Sequence, residues 1–181
     1  MLLQRSIALV CFVLLLPVMA VTAIAVLLTL GRPVLFIQER SGLFQQPFKL
    51  IKFRTMRNNR DAKGELLPDE ARVSALGRFL RKTRLDELPG FINVMQGDMA
   101  LVGPRPLLPE TVAAMGREGE IRASVRPGMT GWAQVNGNTL LTNDEKFACD
   151  VWYVENRGWA LDTQIMVRTL QVVVFGEKRR S

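Results

Sequence analysis

From Ser6 to Leu30 the chain carries no charged side chain and is dominated by Ile, Ala, Leu, Val, Phe and Met. No other feature restricts the fold as strongly. As a helix this run reaches about 37 Å at ~1.5 Å per residue, enough for a ~30 Å hydrocarbon core with tilt. Pro17 lies in its middle, where the ring clashes with the carbonyl of Val13 and the missing N–H leaves that carbonyl without its usual partner, so a kink is expected. A kinked helix either crosses the bilayer or turns back with both ends on one face. Arg5 precedes the run and Arg32, Arg40, Lys49, Lys52 and Arg54 follow it, so the positive-inside rule draws both ends to the cytoplasm. The expectation is a re-entrant helix broken at Pro17. A cleaved signal peptide is the third reading, because Ala23-Ile24-Ala25 has small-x-small form; the apolar run is longer than a ~7–15 residue signal core and continues past that point.

The 181 residues allow one further domain, so the chain divides into a membrane-embedded segment, 1–32, and a membrane-associated domain, 33–181. The chain has 24 Lys and Arg against 17 Asp and Glu, a surplus that suits nucleic acid, an anionic membrane face or a phosphorylated substrate. Beside a membrane segment the last two are favoured and nucleic acid is not expected. Cys11 and Cys149 form no plausible bridge and point to no metal site. There is no histidine. Ser-His and Cys-His nucleophile pairs and imidazole metal sites are therefore excluded, and acid-base or covalent work falls to carboxylates, lysines, the tyrosine or a metal ion.

The pattern predicts an α+β, helix-rich domain with short strands. Val34–Ile37 and Phe48–Phe53 read as strands around Arg40-Ser41-Gly42, and residues 58–69 as a polar loop. Leu76, Phe79 and Leu80 recur at helical spacing with Arg78, Arg81, Lys82 and Arg84 on other faces, a basic amphipathic helix that fits either its own core or a headgroup face. The next helix is expected to start near Pro89, and Met99–Val102 reads as a strand. The aromatic Val151–Val154 stretch suits a membrane interface. Ile165–Phe175 is an apolar helix too short to span, with room for a dimer contact, and the Lys178-Arg179-Arg180 tail suits anionic lipid.

Asp86-Glu87 stands behind Arg81, Lys82 and Arg84, just before or at the amino-terminal end of the helix expected near Pro89. Opposite charges nearby favour the ionised carboxylate, which can ligate Mg²⁺ or attack phosphorus. A helix start also attracts phosphate, and phosphate and carboxylate share such a place only through a bridging cation. The alternative is a solvated charge cluster at a helix edge. Arg105 projects from the stiff Gly103-Pro104-Arg105-Pro106 loop and suits bidentate phosphate binding or a structural salt bridge. Arg126, Gln134 and Asn136 surround Trp132 in a Gly/Pro-punctuated segment, as nucleotide or sugar contacts or as turn fillers.

Five ordered fragments, Lys49–Met56, Leu85–Pro89, Asn93–Met99, Val102–Pro106 and Arg126–Gly137, together resemble the bacterial sugar transferase family, and more closely its small monotopic phosphoglycosyl transferases of the PglC type. The resemblance implies transfer of a phosphosugar from a UDP-sugar to undecaprenyl phosphate, with release of UMP, as a first membrane step of surface glycan assembly. It places the protein at the bacterial inner membrane with the catalytic domain on the cytoplasmic face, among phospholipids. It implies Asp86 as nucleophile forming an aspartyl phosphosugar, Glu87 as its dyad partner, and both as Mg²⁺ contacts. Lys52, Arg54 and Arg105 are the phosphate candidates, with Arg126, Gln134 and Asn136 as weaker nucleotide or sugar candidates. One departure concerns the membrane helix: the proline follows a serine in those relatives and Leu16 here, so the bend rests on Pro17 and the flanking charges. A pyrophosphate hydrolase with the same site and a non-catalytic membrane scaffold are the competing functions.

Overall fold

A computed structural model describes residues 2–176, so the Lys178–Arg180 tail lies outside the described residues. The apolar run forms a single helix, α1 (Leu2–Leu30), with Pro17 inside it, so the segment is not divided in two. By length and composition this helix can cross a membrane. Its Thr22 and Thr29 hydroxyls donate to the carbonyls of Val18 and Ala25, which removes the cost of two bare hydroxyls in an apolar segment.

An antiparallel hairpin follows, β1 (Leu35–Ser41) and β2 (Pro47–Phe53), with Phe36 opposite Lys52 and Arg40 opposite Phe48. The polar stretch contains an isolated Arg60–Leu66 bridge and leads to a short helix α2 (Asp69–Arg72). Helix α3 (Ala75–Thr83) is capped by Ser74, whose hydroxyl accepts from the Gly77 N–H. Gly77 is forced by proximity: a Cβ there would sit 2.0 Å from the Thr55 carbonyl oxygen. Arg84 then takes a left-handed conformation (φ 60°, ψ 12°), ending α3 and starting a 3-10 helix, Leu85–Gly90. That turn runs directly into α4 (Phe91–Gln96). Asp86 and Glu87 therefore lie at the amino-terminal end of a helical stretch, in its first turn, and that stretch starts as a 3-10 helix at Leu85 instead of near Pro89. The reason is local packing: Leu85 and Leu88 both turn inward onto the core around Val26, Phe53 and Leu80.

Strand β3 (Ala100–Val102) pairs in parallel with β4 (Gly128–Thr130) across α5 (Pro109–Ala114) and α6 (Arg117–Ala123). Glycine is obligatory at this crossing, since a Cβ on Gly103 or Gly128 would lie 2.5 Å and 2.1 Å from opposing backbone atoms. Helices α7 (Trp132–Val135), α8 (Asn143–Asn156) and α9 (Trp159–Phe175) complete the domain. Tyr153, expected at an interface, is instead a core residue whose hydroxyl donates to Asp162 at 2.7 Å, because a buried phenol needs a partner. Its neighbour Trp152 stacks on Trp132, ring centroids 4.8 Å apart.

Helix α1 belongs to both cores. Ala8 joins the cluster of Val94, Leu101, Val135 and Ile165, while Met19 and Val26 join that of Phe53 and Leu80. Both of its ends are tied down. Arg5 donates to the Gln96 carbonyl at 3.3 Å, and Arg54 donates to the carbonyls of Leu30, Gly31 and Arg32 beyond the last turn. Asn93, fully buried, accepts from the Ile51 N–H and donates to the Lys49 carbonyl, fastening α4 to β2.

Candidate active site

Asp86 and Glu87 reach a cavity of about 530 Å³ between the 3-10 turn, β2, α6 and α8. Its lining carries the cations Lys52, Arg81, Arg84, Arg105, Arg122 and Lys146 against three carboxylates, Asp86, Glu87 and Asp150. The excess of positive charge suits a polyanion. Lys52 comes from β2, and its ammonium also lies 5.5 Å from the centre of the Phe36 ring across the hairpin. Burial, then Arg105 and Arg40, hold its pKa below the usual lysine value.

The two carboxylates differ. Glu87 is bonded by Arg105 at 2.6 Å, with Arg84 at 3.8 Å. Burial acts to raise its pKa, but Arg105 and Arg84 outweigh it and Glu87 titrates below the ordinary range. Asp86 is 6% exposed, and its Oδ1 is buried with no hydrogen-bond partner. Burial and the adjacent Glu87 raise its pKa to about 6, against the pull of Lys52, Arg105 and Arg81. It thus remains mostly ionised at pH 7, as the neighbouring cations led us to expect, but burial and Glu87 make it far more basic than its neighbour. A basic, underbonded carboxylate beside a fixed one can accept a bond to an electrophile or a cation.

Arg105 is held from behind. Its carbonyl accepts from Arg122, whose Nε is paired with Asp150 at 2.8 Å, and both partners of that ion pair are 4% exposed. Sequence reading missed Arg122 and Asp150, because 28 positions separate them and neither lies in a distinctive motif.

The other predicted residues divide. Gln134 lines the cavity, with its Nε2 donating to the Met129 carbonyl and its buried Oε1 unpartnered. Arg54 does not reach the carboxylates; its guanidinium is committed to the carbonyls after α1, which have no partner within the helix. Arg126 donates to the Gly97 carbonyl at 2.8 Å and braces the turn after α4. Asn136 donates to the Trp132 carbonyl and accepts from Arg168, whose guanidinium also lies over the Trp132 ring at 5.0 Å. Each of these three side chains thus donates to a backbone carbonyl, which would otherwise need another partner.

Among the described residues no group of three or more His, Cys, Asp or Glu side chains is arranged to hold a metal. Two carboxylates are nevertheless enough for Mg²⁺, which commonly takes one or two plus substrate phosphate and water. The orphaned Oδ1 of Asp86 fits that role.

Comparison with known proteins agrees with the geometry. The chain is 47% identical over 156 residues to an uncharacterized sugar transferase, EpsL of Bacillus subtilis (strain 168), which covers 86% of this chain and 77% of that one. It is 37% identical over 168 residues to the UDP-N-acetylgalactosamine-undecaprenyl-phosphate N-acetylgalactosaminephosphotransferase of Aeromonas hydrophila, covering 88% of this chain and 40% of that protein. It is 38% identical over 166 residues to the UDP-glucose:undecaprenyl-phosphate glucose-1-phosphate transferase of Escherichia coli (strain K12), covering 86% and 35%. The chain thus spans most of EpsL and less than half of each of the other two. The family described as bacterial sugar transferase matches residues 1–176, essentially the whole described chain and every element of the cavity. With that match, the cationic cavity around Asp86 and Glu87 is the candidate active site of a chain that belongs to the bacterial sugar transferase family.

Proposed function

We propose that the protein transfers a phosphosugar from a UDP-sugar to undecaprenyl phosphate, releasing UMP and forming a polyprenyl diphosphate sugar for surface glycan assembly. The observation that carries this reading is Asp86: a buried carboxylate, its Oδ1 unpartnered, facing a cavity rich in cations. The names of the relatives supply the donor and acceptor classes.

In the first half-reaction a carboxylate oxygen of Asp86 bonds to the sugar-proximal phosphorus. The bond from that phosphorus to the bridging oxygen breaks, and UMP leaves with the oxygen. In the second, a phosphate oxygen of the acceptor attacks the same phosphorus and the bond to Asp86 breaks, restoring the carboxylate. Lys52 and Arg105 bind and orient the diphosphate, while Glu87 holds Arg105 in place. Gln134 is the remaining candidate for nucleotide or sugar. Asp86 and Glu87 would hold Mg²⁺, which when bound neutralises charge on the diphosphate and on the transferring group.

For the membrane placement, α1 supplies the support. A straight crossing would send the Arg5 end, and with it the Gln96 turn of the domain, to the far face of the bilayer. Attachment of both ends to one domain supports a segment that keeps both ends on one face of the inner membrane, with the catalytic domain on the cytoplasmic side.

Incubation with UDP-sugars and Mg²⁺, scored by UMP release, tests the reaction. Release is expected to depend on undecaprenyl phosphate beyond one turnover. Release equally fast without the lipid would make the protein a hydrolase and overturn the proposal.

A further inference from the structure

A second cavity, about 580 Å³, adjoins the first where Arg84, Glu87 and Gln134 line both. Its walls are apolar: Leu88, Phe91 and Met129 on one side, and Met166, Leu170 and Val173 of α9 on the other. The hydroxyls of Thr130 and Thr169 within it bond each other at 2.6 Å, so these groups need nothing from an occupant. Charge enters only at the junction with the catalytic cavity. On α9 the groove residues stay open, Leu170 at 68% and Val173 at 46% exposure. An exposed apolar surface of this kind marks a binding site. The volume lies within the ~300–1,000 Å³ range of small-ligand pockets.

A ligand that fits both cavities has a long apolar body with no hydrogen-bonding groups and one anionic end. A lipid phosphate is such a molecule. Resting on the function proposed above, we infer that this groove seats the isoprenoid chain of the acceptor, delivering its phosphate to the Arg84 end beside Asp86. Leu170 and Val173 then set affinity for the acceptor's chain while touching neither the donor nor the reacting atoms. The groove thereby separates acceptor recognition from donor recognition, and selects for chain length.

The test is a steady-state comparison in detergent micelles of the full chain and the variant Leu170→Gln/Val173→Thr, whose near-isosteric changes lie at exposed positions. The KM for a long-chain polyprenyl phosphate is expected to rise roughly tenfold, as loss of a few buried CH₂ contacts predicts. The KM for the UDP-sugar, the KM for a short prenyl phosphate and the melting temperature are expected to stay unchanged. An unchanged long-chain KM, or an equal rise for long and short acceptors, overturns the inference. The variant Val174→Thr/Phe175→Gln, on the same helix outside the groove, is the control for docking of α9 to lipid; an equal loss there assigns the effect to membrane attachment and overturns it too. Dissociation of a dimer by the groove variant with no change in acceptor KM would show that a second copy covers the face, with the same consequence. Failure of the unmodified protein to use any prenyl phosphate would instead defeat the transfer reading itself.

Discussion

At the scale of single residues, Asp86 and Glu87 show how adjacent carboxylates acquire different work. Glu87 is fixed by Arg105, and Asp86 is left buried without a full set of partners. Asp86→Asn is expected to lower UMP release by at least about 10³-fold, the usual scale for loss of a nucleophile, with the fold intact by circular dichroism. The same substitution should stabilise the metal-free protein near neutral pH. A carboxyl raised from 3.8 to about 6 favours folding when protonated, and that advantage is lost as pH rises through this window. Above pH 6 the wild type therefore carries a cost of at most about 3 kcal/mol, from roughly two pKa units. The melting temperature of Asp86→Asn should exceed that of wild type at pH 7, and the gap should close by pH 4. Ionisation of Asp86 also predicts that kcat/KM falls as pH drops below about 6, read from a pH–rate profile.

At the scale of elements, the site depends on how helix ends and strand crossings are satisfied. Arg54 was expected at a phosphate and instead closes the end of α1 through three carbonyls. Arg54→Met should accordingly cost about 1–3 kcal/mol, the range for leaving buried polar groups unpaired. The KM for the UDP-sugar is expected to stay unchanged, and a rise in it with unchanged stability would restore the phosphate role. The Arg122–Asp150 pair holds the loop that presents Arg105. Asp150→Asn leaves a buried guanidinium without its counter-charge, and breaking such pairs costs about 3–5 kcal/mol. Thermal denaturation should register that loss, with weakened activity reflecting the displaced Arg105. Sequence patterns located the hairpin, α3, α4 and β3 to within a few residues, and α9 from Ile165 on without its first two turns, because side-chain period and turn residues are local. They put the carboxylates at a helix start but set that start near Pro89 instead of Leu85, since a left-handed Arg84 followed by a 3-10 helix is imposed by the packing of Leu85 and Leu88.

At the scale of the whole molecule, α1 and the rest of the chain share their cores. Ala8 and Val26 are fully buried, one in each core cluster. A chain beginning at residue 33 should therefore fail to give a cooperative melt or UMP release even in detergent; a stable, active truncated protein would show that α1 serves only as an anchor. The membrane-competent helix, the absence of imidazole chemistry, the acidic pair and the family are legible in the linear chain, because charge, hydropathy and motif order are written there. Which polar residues reach the cavity is settled by packing in three dimensions. It brought Lys52, Arg105, Arg122, Gln134 and Asp150 to Asp86 and assigned Arg54, Arg126 and Asn136 to backbone carbonyls. Such assignments depend on which buried groups have lost water, and that is fixed by packing between residues distant in the chain.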